Sequence, residues 1–169
     1  VVIEALHIRH GSAATGGAIS NAGDLTLRDV TITQSRAITG AAVYNSGALE
    51  IVNSTLVENS ASSAGVLFNA PGGTLNLVHA TLADNSGAPI HNGAGAGSVT
   101  VAASVVSQPA AAACAGPIAA GSGNFAFNTS CLPGAASGDP LLGPLRDNGG
   151  PTLPRALAEG SPARDRAAC

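Results

Sequence analysis

Two carboxylates stand 26 positions apart in matching contexts, Glu58 in Glu58-Asn59-Ser60 and Asp84 in Asp84-Asn85-Ser86. A pair of acids on one face is what glycoside hydrolysis uses, one acting as acid and the other as base or nucleophile, with roughly 5–10 Å between them. If the chain winds so that the two stack one turn apart, a strand spacing of about 4.8 Å brings them close to that range. By the same stacking, His79 near Asp29 is a candidate general base. The surroundings argue against both. No aromatic platform and no Lys or Arg that could hold a uronic acid stands beside Glu58 or Asp84 in the sequence, and a single His on a solvent face is usually just polar. His7 and His10 read the same way, and His91 as a partly buried filler. Three cysteines without a C-x-x-C pair give no zinc signature, and calcium repeats of the G-G-x-G-x-D type are absent. No metal and no cofactor is expected.

The stacking itself is predicted by a repeat. Gly16-Gly17-Ala18-Ile19-Ser20-Asn21 returns as Gly40-Ala41-Ala42-Val43-Tyr44-Asn45, as Ala64-Gly65-Val66-Leu67-Phe68-Asn69 and more weakly as Pro89-Ile90-His91-Asn92, so the Asn residues are spaced by 24, 24 and 23. After each Asn comes a pair of alternating segments in which Leu25 and Leu27 match Leu49 and Ile51, Leu75 and Leu77, and Val99 and Val101. Period-2 alternation indicates strands with one buried face. Leu6 and Ile8 fall in register with Val30 and Ile32, giving roughly five coils. A coil of this size has no core alone, but parallel stacking turns identical positions into ladders. Asn21, Asn45, Asn69 and Asn92 read as a structural ladder at a sharp corner, where Asn tolerates left-handed dihedrals and its amide can bond the copies above and below. The outward columns are then Thr26, Glu50, Asn76 and Thr100; Asp29, Asn53, His79 and Ala103; and Gln34, Glu58 and Asp84. Thr31, Thr55 and Thr81 form a short column like those of ice-binding solenoids, without a regular T-x-T pair and ending at Val105.

Composition narrows the classes. With one Tyr, three Phe and no Trp or Met, a chain that is 45% hydrophobic must build its core from Val, Leu, Ile and Ala. Only 10% of residues are charged and the net charge is −3, which argues against a nucleic-acid partner. The uncharged run from Gly97 to Gly123 is interrupted by Pro109, Pro117 and Gly and is mostly Ala, so no membrane span is expected. The start reads as the middle of a strand rather than a secretory leader, as in a mature or trimmed product. A Cys114–Cys131 disulfide, the alternative being two free buried thiols, would close a short loop in a segment with little core of its own, and implies an oxidising, extracytoplasmic setting. Cys169 is left unpaired or bonded between chains. Asn53-Ser54-Thr55 and Asn128-Thr129-Ser130 fit the glycosylation pattern only weakly.

The repeat over residues 3–108 resembles those of bacterial right-handed parallel β-helix proteins, including polymorphic outer-membrane proteins and autotransporter passengers. Residues 139–169, with Asp139-Pro140-Leu141-Leu142-Gly143-Pro144-Leu145 and Asp147-Asn148-Gly149-Gly150-Pro151-Thr152, resemble the closing segment of the choice-of-anchor Q family of surface β-helix proteins. Arg164 stands where that family has an apolar residue. The resemblance also covers Cys114-Ala115-Gly116-Pro117-Ile118 followed by Cys131, which adds support for the disulfide, and it implies an anchor that is cleaved or missing.

The expected object is therefore an all-β, right-handed parallel β-helix over residues 1–108, closed by a Gly/Pro/Ala-rich cap over 109–169 whose Pro-dense end wraps the open terminal coil. The expected function is a non-catalytic structural or interaction protein of the bacterial cell surface, packing along a protein partner or into a filament. The alternatives are a carbohydrate-active β-helix enzyme, with Glu58 and Asp84 as its best carboxylates, and a glycan-binding module.

Overall fold

A Leu-x-Leu segment can bury one face only by meeting other apolar faces, and the chain achieves this by coiling. The computed structural model describes residues 1–108, 113–127, 129–150 and 152–166. Among these there is no helix, and the chain forms a parallel β-helix of about five turns.

Each turn has four short sides. The first consists of residues 24–28, Ala48–Val52, Thr74–Val78, Val99–Ala102 and Ala119–Ala120, paired in parallel. The second consists of residues 31–33, Thr55–Val57, Thr81–Ala83, Val105–Ser107 and Phe125–Ala126. The third pairs Arg36–Thr39 with Ser60–Ala64 and continues as the bridges Ser12 to Arg36 and Ser60 to Ser86. The fourth stacks Ile19–Asn21, Val43–Asn45, Leu67–Asn69 and Ile90–Asn92. At the N-terminal end, Val2–Arg9 runs along both the first and second sides of Asp24–Thr33. Leu25 lies on Leu49 and Leu49 on Leu75, and Leu27, Ile51, Leu77 and Val101 follow in the same way. These residues and the inward Ile32, Leu56, Leu82 and Val106 belong to one buried cluster.

The corners explain residue choices that the strands do not. Ala5, Asp29, Asn53, His79 and Ala103 all have φ between 47° and 54°, and His10, Gln34, Glu58 and Asp84 between 51° and 60°. Two whole columns are therefore left-handed, a conformation in which Asn, Asp and His are enriched. At several of these turns the next N–H runs along the axis to a side chain of the following coil. Val30 N–H donates to Ser54 Oγ at 3.0 Å and Ala80 N–H to Ser104 Oγ at 3.0 Å. The next corner repeats this with Ser35 N–H to Asn59 Oδ1, Asn59 N–H to Asn85 Oδ1 and Asn85 N–H to Gln108 Oε1, at 3.0, 2.9 and 2.7 Å. The third corner needs glycine: Gly40 has φ 67°, and a Cβ there would meet Val43 O at 2.7 Å.

Asn21, Asn45, Asn69 and Asn92 have no positive φ; each ends a strand of the fourth side with its side chain buried. The expected left-handed corner is thus displaced to other columns, because the Asn amides point inward to satisfy backbone rather than to make the turn.

Strand stacking continues past residue 108, through Ala119–Ala120 and Phe125–Ala126. Cys131 and Leu132 are buried in the core cluster and Ala135 packs on it, so residues 131–135 close the C-terminal end. Within the Pro-dense tail, Leu142–Leu145 and Arg155–Leu157 form an antiparallel hairpin that lies along the flank of the coils, and Arg166 comes back beside residues 121–124 and 134–136 of the last coil. Thr31 Oγ donates to Leu153 O at 3.2 Å, and Arg155 pairs with Asp84, two turns further on. The outward Val57 and Ala83 of the second side are fully buried yet lie outside the core cluster. They are covered from outside, and this hairpin, here called the strap, is the segment that runs there.

Candidate functional site

The parallel ladders bring the two candidate carboxylates, Glu58 and Asp84, into one column of left-handed corners, and their neighbours engage each separately. Gln34 Nε2 donates to Glu58 Oε2 at 3.2 Å. Arg155 of the strap donates to the Asp84 carboxylate and, through Nε, to Gly143 O at 2.7 Å. Contrary to the sequence expectation, arginines do stand beside both acids: Arg36 lines, with His10, Gln34 and Glu58, an open recess of about 650 Å³ on the third side. Asp84 suits the left-handed corner, whereas Gln34 and Glu58 hold it with φ 54° and 58° although their types rarely do. After Glu58 and Asp84 the corner places an Asn whose side-chain oxygen accepts the N–H of the coil before and whose own N–H donates to the coil after. This second amide ladder, Ser35, Asn59, Asn85 and Gln108, is the feature that sequence reasoning missed. Its signal was the repeated Asn-Ser after each acid.

The ladder on the fourth side is continuous. Asn21 Nδ2 donates to Asn45 Oδ1, Asn45 Nδ2 to Asn69 Oδ1 and Asn69 Nδ2 to Asn92 Oδ1, at 2.8, 2.8 and 2.9 Å. Beside it, on the outer face, Tyr44 stacks on Phe68 with ring centroids 5.5 Å apart, and His91 meets Phe68 edge-on at 5.0 Å.

His79 and Asp29 are not brought together. Asn53 lies between them and donates to Asp29. His79 instead lines, with Thr55, Thr81 and Thr152, a cavity of about 160 Å³ between coils and strap. Thr31 is fully buried beneath the strap and Thr55 nearly so, which leaves Thr81 as the column's one partly exposed residue. His7 contacts Thr33 Oγ1 at 2.8 Å; burial, and then the charges of Arg9 and His10, hold its pKa below the ordinary value.

The first side is bare by contrast. Its outward column Thr26, Glu50, Asn76 and Thr100 forms the floor of a trough of about 490 Å³, bordered by Asp24 and Thr74. Thr100 Oγ1 donates to Asn76 Oδ1 at 2.6 Å, and Asn76 Nδ2 to Glu50 Oε1 at 3.5 Å.

Cys114 and Cys131 form a disulfide with Cα atoms 4.5 Å apart. Cys169 and Asn128 lie outside the described residues. Among the described residues no group of three or more His, Cys, Asp or Glu could hold a metal ion, and no helix is long and apolar enough to cross a membrane.

Comparison with family models, with curated proteins and with solved structures found no match.

Proposed function

We propose that this chain is a non-catalytic structural and interaction solenoid of the bacterial cell surface, of the choice-of-anchor Q kind, which meets its partner through its first side. The observation that carries the reading is an asymmetry. The second side is buried beneath the strap, while the first keeps a hydroxyl, amide and carboxylate column open over four successive rungs. Residues 131–135 close the C-terminal end of the core, so lateral contact is favoured over end-to-end growth. The Cys114–Cys131 disulfide supports an oxidising compartment. Glu58 and Asp84, each already bonded to a neighbouring side chain, serve as corner residues.

The test is adherence. Labelled protein is expected to bind the envelope of the cells that produce it. Replacing Thr26 and Asn76 by Arg should abolish binding, while Arg36→Ala on the third side should leave it intact. Equal adherence of all three proteins would refute the reading. Incubation with polygalacturonate or alginate should release no unsaturated product.

A further inference from the structure

The first-side trough has a composition and a period that select among ligands. We infer that it binds a linear, neutral glycan lying parallel to the solenoid axis, an assignment that rests on the lateral-surface reading above.

Four observations carry it. First, the floor residues Thr26, Glu50, Asn76 and Thr100 come from four consecutive rungs, so the trough extends about 14 Å, three steps of about 4.8 Å. A ligand matching it is extended and offers similar groups at regular intervals, as a linear polymer does. Second, the groups on the floor are hydroxyls, an amide and a carboxylate. A carboxylate accepts up to about four hydrogen bonds, and Glu50 receives one long bond, from Asn76. Sugar hydroxyls, which both donate and accept, fit an alternation of Thr, Glu, Asn and Thr.

Third, the charge is one-sided. Asp24 and Glu50 line the trough, and no Lys, Arg or His side chain does. The two carboxylates outweigh the one ammonium at the trough's end, the Val1 amino group bonded to Asp24 O at 2.7 Å, so polyanions are disfavoured and neutral chains are favoured. Fourth, the backbone N–H and C=O groups of the first side are consumed by pairing between coils. An extended peptide gains its affinity by adding to an unpaired sheet edge, and the edge strand Val2–Arg9 lies at the trough's N-terminal end, off the floor from Thr26 to Thr100. A polymer recognised through side chains alone is what remains.

Affinity electrophoresis tests this with soluble neutral polymers, a β-glucan and a galactomannan, against polygalacturonate and alginate. Wild-type protein should be retarded by a neutral polymer, without salt dependence, and by neither acidic one. Glu50→Gln and Asn76→Ala should each weaken retardation about tenfold, and both sites are accessible enough that the variants should fold, which their melting temperatures will check. Arg36→Ala should behave as wild type. Retardation by the acidic polymers alone, or by neutral polymers equally in all variants, overturns the assignment. If no neutral polymer retards the protein while cell adherence still depends on Thr26 and Asn76, the glycan assignment falls and the lateral-surface reading stands. Loss of both results refutes the two together.

Discussion

The first and second sides belong to the same coils and share one interior, yet they face opposite fates outside. On the first side, outward residues are Thr26, Glu50, Asn76 and Thr100, and they remain in contact with solvent. On the second, the outward Thr33, Val57 and Ala83 are buried, though no inward neighbour can reach them. The strap makes the difference. A strand covered on one face must alternate, whereas one covered on both reads as a nearly continuous apolar or small run. The segments "TIT", "TLV", "TLA" and "VVS" follow the second rule, and "LTL", "LEI", "LNL" and "VTV" the first.

The hardest blow to this comparison falls on what the two sides share. Leu77 is fully buried at the middle of the stack, and Leu77→Ala should cost about 2–5 kcal/mol. Both sides should then melt in one cooperative transition at a lower temperature in calorimetry; separate transitions would mean the sides do not share a core. Next in size is the disulfide. Its half-cystines are separated by 17 residues, so replacing both with Ser should cost roughly 2–4 kcal/mol, with hydrogen exchange accelerated first in the last coil.

Substitutions at outward positions separate the sides directly. Val57→Asp places a charge beneath the strap and should cost on the order of 2 kcal/mol, limited by the energy needed to lift it. Proteolysis within residues 139–157 should accelerate accordingly. Glu50→Lys, at the corresponding outward position of the bare side, should change the melting temperature little. Equal effects would mean that the strap does not cover the second side.

The smallest effect concerns pH at the N-terminal end of the second side. His7 has its pKa lowered by burial and by nearby positive charge, so the unfolded chain binds its proton more readily than the folded one. Stability is therefore fully present above the ordinary His value of about 6.5 and is lost as pH falls through the lowered one. His7→Gln should flatten the melting temperature between these limits, an outcome that thermal scans at several pH values would check.

Much of the fold was legible in the residues. The Asn spacing of 24, 24 and 23 fixed the turn length, and the Leu and Val matches fixed the register, because a one-residue slip would turn every apolar side chain outward. The Asn ladder was legible as a ladder but not as an inward one. Period alone places a residue in a column without saying which way a strand end points. Glu58 and Asp84 were legible as a column, and the reason for that column was hidden, since φ is not written in residue types such as Glu and Gln that rarely adopt positive values.

Sequence by itself determined that the chain coils, how long each turn is and which aliphatic and Asn21-to-Asn92 positions stack, because these follow from local alternation and a fixed repeat. Only the tertiary structure decided which outer face is open. The strap's position depends on contacts such as Thr31 with Leu153 and Asp84 with Arg155, which join residues 122 and 71 positions apart. The strap lies outside the repeat: the apolar and small outward residues Val57 and Ala83 suit a covered side, but the period of the coils does not place the strap there.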